Sequence, residues 1–368
     1  MEYLLLLAMP ILGSLHYIES KKRSLFLYYI IILLITILLF GLRYRVGIDT
    51  IRYNSFFDSL PSFDKLSLSS LLDYDYSPLF IIFMSLCKFV INEFWLFQLL
   101  HSIILNSFVF YFCWKRGFNP FIAVFYYFII AGVTFNTEIL RESMAVGIFL
   151  LNYRNIEKKK WFHYYLLSLL SIGFHYSAII TLIIPLFSNI KFNMKLIIYI
   201  ILYLVIVCLL VNYVEDIIPI DILAKRYQGI TTMKEDRDFT FFRYIALFIK
   251  SVFFPAMILS YNRKLKLHET YESMLLLFSI LSMTAFVYPI LFDRLSNYCL
   301  VFYVLCISNC VSKLHSKGNG YVFLLLTLLF FMHTNIRENN LYRYYPYHSI
   351  FDKGKEQKRE KIFNDEIM

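Results

Sequence analysis

Charge is scarce in this chain. Asp, Glu, Lys and Arg make up 17% of its 368 residues, and no stretch is polar enough to form an independent water-soluble domain of ~100 residues. Several chemistries lack their signatures: there is no glycine loop to cradle a nucleotide phosphate, no H-E-x-x-H and no C-x-x-C. ATP hydrolysis and zinc chemistry therefore find no support. The six cysteines, Cys87, Cys113, Cys208, Cys299, Cys306 and Cys310, all fall within apolar segments. An oxidising compartment would pair cysteines in polar loops instead, so neither disulfides nor a metal cluster is expected. No internal repeat or low-complexity tract occurs. The start, Met1-Glu2-Tyr3-Leu4, lacks a basic signal-peptide region and a small-residue cleavage site, so the first apolar block is expected to remain as a helix.

Apolar side chains are what the chain has in abundance. Hydrophobic residues make up 59% of it, with 38 Phe and 30 Tyr, and mean hydropathy is +0.60. Leu25 to Leu42 is one apolar run among a dozen blocks. Blocks of ~18–20 residues match bilayer hydrocarbon, where backbone amides must be paired internally. The fold class that follows is an all-α polytopic membrane protein with about 11–12 transmembrane helices. It forms a single transmembrane domain over residues 1–340, with a polar C-terminal tail over 341–368. The formal net charge of +10 does not point to nucleic acid, because Lys and Arg cluster in short loops and act as cytoplasmic topology signals.

Those basic loops constrain the path. Lys21-Lys22-Arg23, Lys115-Arg116, Arg154 with Lys158 to Lys160, Lys191 with Lys195, Arg263-Lys264 with Lys266, and Lys313 with Lys317 belong inside, so successive ones must be separated by even numbers of crossings. Parity then requires that block 77–91 not cross and that block 161–187 break near Gly173-Phe174-His175. Each half of the broken block is about 20 Å long, which suits either two short segments or a re-entrant hairpin. The chain starts outside on this path. The outer face receives the loops near 43–76 and 214–240, the turns at Glu138, His175 and Asp293-Arg294, and the tail. In the tail, Arg337, Arg343 and Lys353 argue for the inside while Asp352, Glu356 and Glu360 offset them.

Candidate functional residues stand where apolar blocks end. Arg43, Arg45 and Arg52 lie beside Asp49 and Tyr53 at the outer end of the second block. Guanidinium forks match phosphate oxygens, and the alternative is snorkelling at the lipid interface. Glu138 and Arg141 are three residues apart, one helical turn, so an ion pair is the simple account. His175 sits mid-block without an adjacent carboxylate. It is either a functional group or a neutral buried histidine bonded to a neighbouring helix. Arg294 and Tyr298 end a later block, where a salt bridge is the plain alternative, and Lys250 lies within another. Asp73-Tyr74-Asp75 spells D-x-D, but the soluble nucleotide-binding domain that normally accompanies that motif is missing.

In their order and spacing these pieces resemble the EpsG-like branch of the Wzy family, the polytopic polymerases of O-antigen, capsule and exopolysaccharide repeat units. The matching stretches are R-x-x-x-G-x-D-x-x-x-Y from Arg43 to Tyr53, the helix led by Arg141 with Ala145, and H-x-S at His175 and Ser177. To these are added Lys158-Lys159-Lys160-Trp161-Phe162, the R-x-x-x-Y of Arg294 to Tyr298, and Tyr345-Pro346-Tyr347. The chain departs from the family pattern at Glu142, where members usually carry glutamine.

The resemblance implies a metal-independent, cofactor-free glycosyltransferase of GT-C-like architecture in the bacterial inner membrane, with its active site facing the periplasm or exterior. Its partners would be undecaprenyl-diphosphate-linked oligosaccharides as donor and acceptor, membrane lipid, and a protein that controls chain length. It assigns Arg43, Arg45, Arg141 and Arg294 to the diphosphate, His175, Asp49 and Glu138 to general base catalysis, and Tyr53, Tyr298 and Tyr347 to sugar. Two other functions use the same features. An O-antigen ligase would take the same donor, and a repeat-unit transporter would place Lys250 and His175 along a pathway.

Overall fold

The computed structural model describes residues 2–17, 22–67, 71, 73–188, 241–265, 269–285, 289–314, 319–335 and 344–352. The block at 196–213, the loop at 214–240, Lys191, Lys195, Arg337, Arg343 and the tail from 353 lie outside the described residues. The chain is an all-α polytopic membrane protein. Among the described residues, four helical stretches are long and apolar enough to cross a bilayer: Phe94–Arg116, Pro120–Thr137, Tyr244–Tyr261 and Leu291–Lys313. Shorter apolar helices accompany them at Leu25–Gly41, Pro78–Val90, Tyr176–Phe187, Tyr271–Thr284 and Val322–Met332.

The chain divides into two compact units, Met1–Ile179 with Val311–Met368, and Ile180–Cys310. The first contains α1 (Glu2–Tyr17), α2 (Lys22–Gly41), α3 (Ile48–Ser59), α4 (Pro78–Val90), α5 (Phe94–Arg116), α6 (Pro120–Tyr127), α7 (Val133–Thr137), α8 (Leu140–Glu157) and α9 (Trp161–Phe174). A π turn at Phe128–Gly132 joins α6 to α7, and the helix Asn319–Asn335 returns to this unit, bonding Thr327 Oγ1 to Tyr126 Oη at 2.7 Å.

Helix α5 is the axis of the first unit. At 23 residues it is about 35 Å long, enough for ~30 Å of hydrocarbon. Helix α2 runs antiparallel to it, with Ser102 Oγ donating to Ile37 O at 3.2 Å and Tyr29 Oη to Phe110 O at 2.8 Å. Helix α8 runs parallel to it. Their starts are joined by His101 Nε2 and Leu140 O at 3.0 Å, and their ends by a forked Arg116–Glu157 pair. That pair sits beside the basic run Lys158 to Lys160, at the end assigned to the cytoplasm. Buried amides bind the interior where water cannot: Asn106 Nδ2 donates to Asn136 Oδ1 at 2.8 Å, and Asn136 Nδ2 to Gly132 O at 2.8 Å.

Helix α4 does not continue the up-and-down pattern. Its 13 residues span only about 20 Å. At its start, a Cβ on Gly173 of α9 would lie 2.4 Å from Leu79 Cδ1. At its far end Lys88 Nζ donates to Phe57 O and Asp58 O at 2.8 and 2.9 Å. The start of α4 thus packs on the end of α9, and its far end is tied to α3. The break in the later block falls at His175, where the backbone is extended between α9 and a 3-10 turn over Tyr176–Ile179.

The second unit holds the helices Ile180–Phe187, Phe241–Leu265 with a π turn at Ile249–Phe253, Glu269–Thr284, and Pro289–Leu314 as far as Cys310. Phe278 and Tyr303 stack at 4.4 Å in its interior, and Lys250 Nζ lies 5.7 Å from the Phe278 ring centre.

Candidate functional site

Most of the predicted residues of the first unit gather at one end of its bundle, built around α3. This helix starts after Gly47, whose φ of +93° is open to glycine. A Cβ at Gly47 would also stand 2.9 Å from Thr137 O. Gly47 supplies no side-chain cap, so the free N–H groups of the first turn find their acceptor elsewhere. Glu138, ninety residues downstream, provides it: Oε1 accepts from Ile48 N at 3.2 Å and Oε2 from Asp49 N at 3.0 Å. The carboxylate considered as a base or as an ion-pair partner of Arg141 thus serves as a helix cap in trans.

Arg43 does not face a solute. Its side chain is completely buried, with Nη1 donating to Phe40 O and Nη2 to Thr50 Oγ1 at 3.2 Å. Thr50 Oγ1 in turn donates to Thr137 O at 2.6 Å. Residues 344–352 close over this arginine: Tyr44 N donates to His348 O at 2.7 Å, Ile350 N to Leu42 O at 2.9 Å, and Tyr347 Oη to Leu39 O at 2.8 Å. Burial pulls the Arg43 guanidinium down to about 10, against the opposing influence of Tyr3, Tyr347 and Glu138. It stays charged at neutral pH. In this arrangement Arg43 is an internal anchor that ties α2, α3 and the post-helical segment together. Tyr347 belongs to the same anchor, and its ring also meets Tyr3 edge-on at 6.2 Å.

Arg141 is different. It opens α8, and its Cζ lies 4.3 Å from the centre of the Tyr76 ring and 5.9 Å from that of Tyr53. Its Nε donates to Tyr53 Oη at 3.3 Å. This arrangement engages Nε and sets the guanidinium against two rings, and the two terminal nitrogens make no hydrogen bond among the described residues. Asp49 lies one turn before Tyr53 on α3, near enough to act on the charges of Arg141, Tyr53 and Tyr76. Its carboxylate meets exposed Arg52 at 3.4 Å. Burial raises the Tyr53 and Tyr76 phenols, with Arg141 opposing, so both remain neutral hydrogen-bonding groups. Tyr76 is a site residue that reasoning from sequence missed. Its only signal is its place just ahead of Ser77-Pro78, the start of α4.

His175 ends α9 and is buried. Its neighbour Phe174 packs against the apolar cluster that contains Tyr53, Phe80 and Leu140, so this end of the bundle also holds the histidine. Ser177 N donates to His175 Nδ1 at 3.2 Å, and Ser177 Oγ lies 2.6 Å from the same nitrogen. A ring nitrogen that accepts an N–H carries no hydrogen, so the neutral ring holds its proton on Nε2. Arg45 adopts a left-handed φ of 52° and lines a cavity on the other side of α3. Arg294 and Tyr298 belong to the second unit, Arg294 exposed on its helix and Tyr298 fully buried. Asp73 and Asp75 are exposed, and Tyr74 between them packs on Phe56 at 5.7 Å.

The tyrosine-held arginine, the carboxylate and the histidine thus stand at one end of a polytopic helical membrane bundle. The EpsG family model matches residues 26–349. The chain belongs to the EpsG family, and this membership supports polysaccharide polymerisation as its activity. No curated protein and no solved structure matches the chain.

Proposed function

We propose that this protein is a polysaccharide polymerase that moves a growing glycan from undecaprenyl diphosphate to the non-reducing end of another lipid-linked repeat unit, at the outer face of the bacterial inner membrane. Nucleotide sugars and ATP are confined to the cytoplasm, so bond energy on that face must arrive within the substrate, as a sugar diphosphate lipid carries it. In the reaction an acceptor hydroxyl oxygen bonds to C1 of the donor's reducing-end sugar, the bond from C1 to the phosphate oxygen breaks, and the diphosphate leaves with the electron pair.

The observation that carries this reading is the state of Arg141. Tyr76 and Tyr53 hold its guanidinium by ring contact and by Nε, which leaves the terminal nitrogens available to bond the charge that grows on the leaving group. Asp49 is the favoured base for the acceptor hydroxyl, because it shares a face of α3 with Tyr53. The Nε2 proton of His175 suits it to donate a hydrogen bond to a sugar or phosphate oxygen instead.

The test replaces Arg141 with lysine, which keeps the charge but cannot present a planar fork while stacked on a ring. In a strain lacking the native gene, Arg141→Lys and Arg141→Ala should both abolish long glycans while the protein accumulates in the membrane at wild-type amount. A full ladder from either variant would overturn the reading.

A further inference from the structure

His101 stands two turns into α5, completely buried, and plays no part in the glycan transfer itself. Its Nε2 lies 3.0 Å from Leu140 O and 3.0 Å from Ser143 Oγ, both in the first turn of α8. A carbonyl oxygen brings no hydrogen, so Nε2 carries the proton and the ring is the donor. Arg141 is the residue after Leu140. We infer that His101 is a positioning residue, which fixes the first turn of α8 so that Arg141 meets Tyr53 and Tyr76. The inference rests on the polymerase reading and deepens it.

The ring bears on both halves of that arrangement. Ile139, ahead of α8, supplies no side-chain cap, so the turn that carries Arg141 is not held by the residue before it. His101 holds it from α5, the axis of the unit. The aromatic half is reached through ring contacts. His101 lies 6.1 Å from the Phe97 ring, Phe97 meets Phe80 edge-on at 5.5 Å, and Phe80 lies 5.6 Å from Tyr53 and 6.0 Å from Tyr76. Those last two rings are the ones that hold Arg141. One side chain of α5 thus bonds the backbone that carries the guanidinium and packs on the rings that lead to its partners.

Stability alone is a poor reason for a histidine at this position. Burying the ring costs desolvation, and Nδ1 has no hydrogen-bond partner among the described residues. Leu140 O is not orphaned by loss of the ring, since Ser143 Oγ also donates to it at 3.1 Å. A leucine at 101 therefore keeps the apolar packing and loses only the directed bond. Direction matters where a guanidinium has to meet a ring and leave its terminal nitrogens to a substrate, because a misplacement of ~1 Å costs about 100-fold in rate.

The experiment places fluorotyrosine at position 76 of the full chain in lipid nanodiscs and reads its fluorine NMR resonance, which reports the cation beside the ring and needs no substrate. Arg141→Ala gives the resonance of the ring without its cation. His101→Leu should move the resonance at least halfway to that position while the thermal midpoint stays near that of the wild type. His101→Gln, whose amide nitrogen falls about where Nε2 does, should keep the wild-type resonance. His101→Asn, whose amide falls about where Nδ1 does, should behave as leucine does. In a strain lacking the native gene, long glycans should fall roughly 10- to 100-fold with leucine and return with glutamine. The inference is overturned if Arg141→Ala does not move the resonance, if His101→Leu leaves it in place, or if glutamine restores neither resonance nor glycans. A full ladder from Arg141→Ala, with the resonance still moved by His101→Leu, would sink the polymerase reading and leave the positioning of Arg141 standing.

Discussion

Replacing Glu138 with alanine removes the two carboxylate oxygens that accept from the N–H groups of Ile48 and Asp49, at 3.2 and 3.0 Å, at the start of α3. Hydrogen bonds to a charged group contribute ~1.5–3 kcal/mol each, and loss of an N-cap typically costs ~0.5–2 kcal/mol. Because the site is only part-buried, water recovers some of this, and a net cost of about 2 kcal/mol to the local stability of α3 follows. At 1.4 kcal/mol per tenfold, amide exchange across residues 47–60 should accelerate by roughly 30-fold. Glutamine keeps one carbonyl acceptor, so Glu138→Gln should lose about half of that free energy and exchange roughly fivefold faster. Hydrogen exchange read by mass spectrometry, on protein in nanodiscs, measures both variants.

Polymer formation adds a second arm to the same experiment. A general base cannot be replaced by an amide, so if Glu138 removed the acceptor proton, glutamine and alanine would be equally inactive. A helix cap predicts a graded outcome, with Glu138→Gln retaining most long glycans and Glu138→Ala losing them as Asp49 and Tyr53 drift from Arg141. The reasoning is refuted if alanine leaves exchange of α3 unchanged, or if glutamine abolishes polymer while α3 stays protected.

Arg43→Met should reduce stability by about 3 kcal/mol, because it strips a buried charge from Phe40 O and Thr50 Oγ1. A lower thermal midpoint and less folded protein in size-exclusion chromatography check this; a variant that folds at the wild-type midpoint yet makes no polymer would make Arg43 a ligand after all. Asn136→Leu should cost ~1–3 kcal/mol by leaving Asn106 Oδ1 without its donor, and adding Asn106→Leu should cost less than the sum of the two single changes. Thermal unfolding of the two singles and the double decides, and simple additivity would dissolve the pair.

Much of the architecture was legible residue by residue. The apolar run of α5 is a helix of spanning length. The break expected near Gly173 falls at His175, and the block at 77–91 forms the short helix α4. The association of Tyr53 with Arg141 across 88 positions follows motifs already suspected. Tyr76 carried no such mark: a tyrosine among thirty is ordinary until its neighbours are known.

Helix content and membrane residence come from local composition, since a backbone in hydrocarbon must satisfy its own hydrogen bonds and twenty apolar residues do so as a helix. The duties of individual charged groups do not. Arg43 and Arg141 are both arginines at the end of an apolar block. One is sealed inside by residues 344–352 and the other is held over two tyrosine rings with its terminal nitrogens unbonded among the described residues. That difference is decided by which distant segments pack over each side chain, because exposure is a property of the folded neighbourhood and leaves no trace in the residues on either side.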